Sequence, residues 1–477
     1  MQKKFLTNLV LIILLNLLIK PLAIFGIDAA VQNRVGAEDY GLYFSLLNFT
    51  FLFNILLDLG INNFTTKNVA QYPEIVPKYF GKVVALRLLL FFFYVLVTLS
   101  FGMFVGYEEK AFYFLFFLII NQLFVTIIAY ARSHLAGLLF FKTDAIISVL
   151  DRVLLILFCG ILLFGSITEI PFKIEWFIWI QTVCYAITCV VALIILVNKI
   201  GRPKIKFEKQ FSLVILRQSL PFALLILLMM VYTRTDSVMI ERLHENGSYE
   251  SGVYAQGFRL LDAFFMFGMI FANLLFPIFS NMLKNKESIK SLLEMSSKML
   301  VWGALAIAGI CFFNAELILG LIYTNDVQAA IFPFQLLMIT FVGMSITLVY
   351  GTLLTANGNL KFLNQISGFG LILNIIINLF LIPEYGAVGA SIATLITQGI
   401  VGIAQFFYVT KIFEIHFSLI RVIGFFTFIA IIIGGSLLAN HFHIQLLVQL
   451  LALGALIILF KVINVKELIQ LLKKEQG

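Results

Sequence analysis

The chain has 477 residues, 61% of them hydrophobic and only 12% charged, with a mean hydropathy of +1.03. Soluble domains carry about twice that share of charge, so an ordinary globular enzyme is excluded. The net charge of +8 does not indicate nucleic acid, because the basic residues are dispersed among apolar runs.

A spanning helix needs about 20 mostly apolar residues. That window predicts fourteen spans, near 7–31, 41–64, 80–105, 111–136, 145–166, 175–198, 213–240, 252–281, 297–320, 329–356, 362–382, 386–410, 418–439 and 444–463. Asn314 and Glu316 interrupt the end of the ninth, and only a few residues around Pro383 separate the eleventh from the twelfth. MQKK at the start looks like a signal n-region, but the apolar run continues past Lys20-Pro21 to Ala30 without a small-x-small cleavage pattern. It is read as a retained first span.

With both termini cytoplasmic, 26 of the 33 basic residues fall on or near the inner connections, and only Arg34, Lys110, Lys173 and Arg242 lie outside. This agrees with the positive-inside rule, and one missed helix would scramble it. The most basic connection runs from Asn198 to Arg217, with Glu208 its lone acid. It divides the chain into residues 1–200 (helices 1–6), 201–413 (helices 7–12) and 414–477 (two last helices and a basic tail).

The two halves share an element. Asp28, Arg34 and the Tyr40-Gly41-Leu42-Tyr43 turn recur as Asp236, Arg242 and Ser251-Gly252-Val253-Tyr254, with three residues inserted. Both copies fall on the same expected side, so the repeat is parallel: two six-helix lobes about an axis along the membrane normal, with a substrate held between them. Lys20-Pro21 has no counterpart, since Leu228-Met229 aligns there.

Seven ionisable residues lie inside the spans: Lys20, Asp28, Asp58, Arg234, Asp236, Arg259 and Asp262. Each costs about 2.5–3.5 kcal/mol facing lipid at the midplane, so they must pair, snorkel or face water. Arg259 and Asp262 are three apart on one helix face, where an ion pair can form. Lys20 and Asp28 are eight apart, some 12 Å along the axis, so they can line one wall but not touch. Asp28 and Asp236 stand near helix ends, where solvation or capping competes with a functional role. Lys20 lies further in, beside a proline that can kink the helix and free carbonyls, which favours a cavity.

No Walker A loop, GxSxG or HExxH occurs, and the external connections are too short for a catalytic domain. No cofactor or metal is expected. The four cysteines, all in apolar runs, read as small packing residues. Asn48 and Asn63, though in Asn-x-Ser/Thr contexts, belong to the second span and read as packing residues. Asn374 and Asn378 share one face, and Gly386/Ala390 with Gly389/Ala393 form a small-residue stripe for close helix packing.

The segments KPLAIFGIDAAVQNRVGAEDYGLYFSLLNF, LLDLGINNF and IPEYGAVGASIATLITQ resemble the bacterial polysaccharide-export flippases, the Wzx-like branch of the multidrug/oligosaccharidyl-lipid/polysaccharide exporter superfamily. The resemblance covers nearly the whole chain. It implies a multi-pass protein of the bacterial inner membrane that moves an undecaprenyl-diphosphate-linked oligosaccharide to the outer leaflet by alternating access. It also implies an H+ or Na+ gradient as driving force, membrane lipids and a glycan polymerase or ligase as partners, and no nucleic acid. A cation-lined cavity on the first, seventh and eighth spans would correspond to Lys20, Arg234 and Arg259 holding the diphosphate. Asp28, Asp58, Asp236 and Asp262 would couple ions or balance charge. The alternatives are a multidrug/cation antiporter of the same superfamily, which the two extra spans and three buried cations argue against and the four buried Asp keep open, and a lipid II flippase.

Overall fold

The computed structural model describes residues 15–16, 18–62, 65, 69, 76–138, 140–165, 169–201, 206–415, 423, 427–435 and 437. The last predicted span, most of the thirteenth and the basic tail lie outside the described residues.

The described residues form an all-α protein of long helices. They are α1 (18–35), α2 (37–52), α3 (Val76–Val105), α4 (Glu109–Gly137), α5 (Phe141–Phe164) and α6 (Ile174–Ile200). There follow α7 (Lys209–Leu243), α8 (Gly247–Lys284), α9 (Lys290–Phe313), α10 (Val327–Ala356), α11 (360–385) and α12 (387–412). Eight helices among the described residues, counting α11 and α12 as one continuous run, are long and apolar enough to cross a membrane. Each of the first twelve predicted spans has its helix.

Two boundaries come from glycine. Gly36 (φ 84°, ψ 170°) separates α1 from α2, and Gly386 (φ 48°, ψ −122°) separates α11 from α12. Only a residue without a Cβ adopts such angles at little cost. The break at Gly36 corrects the expected turn: Tyr40 to Tyr43 lies inside α2, and Ser251 to Tyr254 inside α8. Pro21 keeps helical angles (φ −60°, ψ −39°), and the helix widens into π turns over Leu22–Asp28. At Asn314 the ninth helix breaks and resumes as Ala315–Ile322.

The helices cluster into two units. The first holds residues 1–255 with the short stretches 322–325 and 382–386; the second holds the remainder. In the first unit α4 packs on α6, α2 on α7, and α5 on α1 and α6. Its core includes Phe80, Val83, Leu86, Tyr130, Ala131, Ile147, Ala192 and Leu196. In the second unit α9 packs on α10. Gly343 of α10 sits against the Gln398 backbone of α12, where a Cβ would crowd the carbonyl.

The duplicated element becomes a contact in the first unit. A Cβ on Gly41 would collide with the Ser248 carbonyl and the Gly252 amide, and one on Gly252 with the Ala37 carbonyl. The equivalent glycines of the two copies thus let α2 and α8 cross backbone to backbone. Gln32 donates to the Gly252 carbonyl at 2.8 Å beside this crossing.

Side-chain contacts fix which helix ends lie together. Arg34 donates to the Leu163 carbonyl (3.4 Å), Lys110 pairs with Asp39 (2.8 Å), and Arg242 donates to the Gly106 carbonyl (3.2 Å) while pairing with Glu241. Three of the four cations expected outside therefore lie at one end of the unit. Asn33 joins them, donating to the Ile322 carbonyl (2.9 Å), accepting from the Thr324 amide (3.0 Å) and taking a bond from Asn325 on its own carbonyl (3.0 Å). In the α3–α4 turn at this end, burial pushes the Tyr107 hydroxyl well above the usual phenol range, and the Glu241 carboxylate adds to the shift.

Candidate substrate site

Five of the seven predicted site residues, Lys20, Asp28, Asp58, Arg234 and Asp236, fall in the first unit; Arg259 and Asp262, on α8, fall in the second. Within the first unit they divide into three settings.

Asp58 ends a short helical turn, Ile55–Asp58, after α2. Its Oδ1 accepts from Arg87 Nη2 at 2.8 Å, and the same nitrogen reaches Asn62 Oδ1 at 2.8 Å. Arg87 is 5% exposed, bonds the Leu57 carbonyl (3.3 Å), and lies over the Tyr130 ring at 4.5 Å. Asp58 therefore balances a buried guanidinium. The sequence reading had counted Arg87 among the inner helix-end charges; the structure places it within the core of α3.

Asp236 is buried on α7, and Tyr254 donates its hydroxyl to Asp236 Oδ2 at 3.1 Å. The equivalent tyrosine of the other copy, Tyr43, exchanges hydrogen bonds with Gln181 on α6 instead, at 2.9 and 3.2 Å. Both copies thus use the conserved position of their tyrosine hydroxyl as a tie between helices. Arg234, two residues before Asp236, donates to Asn48 Oδ1 (3.3 Å) and lies over the Phe51 ring (5.4 Å).

The third setting holds Lys20 and Asp28, brought together through α5. The ammonium of Lys20 is half-buried and within electrostatic reach of Arg152, Arg132 and Asp151. Asp28 is buried and acts on Arg152 and Tyr185. Arg132 is held by Asp144, Nε to Oδ1 at 2.6 Å and Nη2 to Oδ2 at 3.4 Å. Arg152 meets its neighbour Asp151 at 3.4 Å and the Tyr185 ring at 5.8 Å. The cluster is therefore of mixed charge: three cations and the carboxylates of Asp28, Asp144 and Asp151. Sequence reasoning missed Arg132, Asp144, Asp151 and Arg152. The signal is present, since Asp151 and Arg152 sit inside the span 145–166, but Arg152 counts there among the charges near the inner connections and Asp151 goes unread.

In the second unit, Asn378 Nδ2 donates to Asn374 Oδ1 at 3.1 Å, as their shared face predicts. Ser391, Thr394, Thr397 and Gln398 on α12 are also buried. Among the described residues no group of His, Cys, Asp and Glu is arranged to hold a metal ion. The four cysteines are buried and unbridged. Asn48 is buried, and its amide donates to the Phe44 carbonyl at 2.9 Å while its Oδ1 takes the bond from Arg234.

Long apolar helices carrying buried, partly paired charge define a multi-pass, all-α membrane protein. Its fold is that of the MOP superfamily. The lipid II flippase MurJ, in an inward closed conformation, matches with a TM-score of 0.63 over 96% of this chain and 100% of that one, at 16% identity. An inward-facing multidrug resistance MATE transporter of that superfamily matches at 0.62, over 83% and 94%, with 14% identity. A MOP superfamily transporter from Pyrococcus furiosus, described as having a binding pocket of reverse polarity, matches at 0.57, over 86% and 94%, with 14% identity.

The chain belongs to the polysaccharide biosynthesis protein family, whose model matches residues 5–283. An uncharacterised membrane protein of Methanocaldococcus jannaschii is 28% identical over 293 residues, 57% of this chain and 66% of that protein. The matched part is just under two thirds of that relative's length.

Proposed function

We propose that this protein is a flippase, not an enzyme, that moves an undecaprenyl-diphosphate-linked oligosaccharide across the cytoplasmic membrane for surface polysaccharide synthesis. The observation that carries this reading is Lys20: a half-buried ammonium on a membrane helix, close to two guanidinium groups, in a member of the polysaccharide biosynthesis protein family. A diphosphate is met by charge-assisted donors of this kind, which are strongest away from water. Lys20, Arg234 and Arg259 hold the diphosphate; Asp28, Asp58, Asp236 and Asp262 balance charge or couple the H+ or Na+ gradient. The two six-helix lobes alternate access, with residues 1–200 and 201–413 as the moving parts and the termini in the cytoplasm. A glycan polymerase or ligase receives the product.

The buried Asp28 and Asp236 also suit a cation antiporter, and lipid analysis of a deletion strain separates the two readings. Undecaprenyl-linked oligosaccharide accumulating on the inner leaflet supports the flippase. Unchanged lipids with altered drug susceptibility overturn it. In the same strain, Lys20→Ala, Arg234→Ala and Arg259→Ala combined should abolish glycan export at normal membrane levels. Full export would remove these residues from the substrate site.

A further inference from the structure

Helices α1 and α5 run side by side in the same direction. Asn16 Nδ2 donates to Ser148 Oγ at 3.0 Å near their first turns, and Arg34 reaches the Leu163 carbonyl at 3.4 Å near their last. Residues four apart share a helix face. Lys20 stands four residues after Asn16, and Arg152 four after Ser148. One turn beyond the Asn16–Ser148 bond, the two cations are thus brought to the same level, near the midpoint of α5's 24 residues.

We propose that Lys20 and Arg152 together form the binding site for the diphosphate group of the substrate, with Arg152 the principal guanidinium contact. The inference rests on the flippase reading and adds to it a residue on a helix that the reading did not use. Three observations support it. Lys20 makes no hydrogen bond or ion pair among the described residues, although two guanidinium groups stand near it. Arg132 is the less able of the two to respond, because Asp144 already holds it through two nitrogens. Arg152 is more weakly engaged: its contact with Asp151, Nε to Oδ2 at 3.4 Å, is well beyond the 2.7–2.9 Å of a strong charge-assisted bond, and buried Asp28 acts on it electrostatically.

Two cations at one level of a helix pair repel, and an anion long enough to touch both removes that repulsion. A diphosphate does so with separate phosphoryl groups for the ammonium and the guanidinium. Asp151 competes for Arg152 while the site is empty and is displaced when the anion arrives. Tyr185 beside Arg152 gives the guanidinium an aromatic face to rest on.

The test uses the full-length protein in nanodiscs of zwitterionic lipid, titrated with farnesyl diphosphate, farnesyl monophosphate and inorganic pyrophosphate. The diphosphate should bind more tightly than the monophosphate, and pyrophosphate should compete with it. Lys20→Gln and Arg152→Gln should each weaken diphosphate binding about ten-fold or more, the value of one charge-assisted bond. The double variant should lose less than the product of the two, because both groups hold one anion. Asp151→Asn should tighten binding, which a purely structural Arg152 would not produce. Arg152→Lys keeps the charge and should fall between wild type and Arg152→Gln, which guards against misfolding of the Gln variant.

Diphosphate binding unchanged by Arg152→Gln but lost in Lys20→Gln overturns the Arg152 assignment and leaves the flippase reading standing on lipid accumulation in the deletion strain. Equal affinity for the monophosphate overturns the diphosphate assignment. Displacement of the probe by phosphatidylglycerol at equal concentration reassigns the site to bilayer lipid and also overturns it.

Discussion

The first unit buries charge in two ways. Around Arg87 two of the three guanidinium nitrogens are engaged, one by Asp58 and Asn62 and another by the Leu57 carbonyl, with the Tyr130 ring beneath; only the buried Nε has no hydrogen-bond partner among the described residues. Around Lys20 the charges are gathered more loosely: among the described residues no carboxylate bonds the ammonium, and Arg152 meets Asp151 at 3.4 Å with Asp28 within electrostatic reach. Desolvating an ion costs several kcal/mol unless a partner compensates. A closed cluster is a structural joint between helices, whereas an open one carries that cost unpaid until something else binds. This difference separates the candidate site from the other buried charges better than burial itself does, since Arg87 is the more buried of the two.

The largest effect should come from opening the closed cluster. Arg87→Ala leaves Asp58 without its cation and should cost about 3–5 kcal/mol, the range for breaking a buried pair. Thermal unfolding of the detergent-solubilised protein should show a large fall in midpoint, with loss of protein from the membrane fraction. A midpoint near wild type would erase the contrast between the clusters.

The crossing of α2 and α8 comes next. Gly41→Ala places a methyl group against the Ser248 carbonyl, and overpacking of this kind costs about 1–3 kcal/mol. Gly252→Ala should cost about as much, because its Cβ meets the Ala37 backbone. Unfolding midpoints lowered by similar amounts would support the pairing of the two repeat copies; one unaffected variant would break it.

This crossing also shows how far the sequence could be read. The helices of the first twelve spans, the duplicated element and the shared end of Arg34, Lys110 and Arg242 all follow from long apolar runs and charge placement, which are properties of the linear chain. That the two glycines of the repeat touch each other does not, because a periodic pattern gives equivalence but no contact. The turn was misplaced for a related reason. Gly41 and Gly36 look alike in sequence, yet one serves close approach and the other a positive φ. Asp151 and Arg152 were missed because adjacent opposite charges near a helix start resemble an interfacial pair. Only the packing of α5 on α1 brings them to Lys20.

The repeat offers a finer comparison. Tyr254 donates to a buried carboxylate, Asp236, and Tyr43 shares hydrogen bonds with the neutral amide of Gln181. Bonds to charged groups are worth about 1.5–3 kcal/mol and neutral ones about 0.5–1.5. Tyr254→Phe should therefore destabilise more than Tyr43→Phe, by about 1 kcal/mol. Equal losses would mean that the Asp236 carboxylate is satisfied without Tyr254.

The smallest stability effect should be at Lys20, and it is the most informative. Lys20→Gln removes an ammonium that makes no hydrogen bond or ion pair among the described residues and lies near two guanidinium groups, so the folded state loses more repulsion than it loses attraction to Asp151. Its unfolding midpoint should equal or exceed that of wild type, while export falls. Active sites trade stability for function in this way, because a group kept ready for a ligand is unsatisfied without it. A fall in midpoint as large as that of Arg87→Ala would place Lys20 in a closed structural cluster, and the distinction between the two ways of burying charge would collapse. A raised midpoint with lost export would show that the charge is maintained at the expense of the fold, for the sake of what it binds.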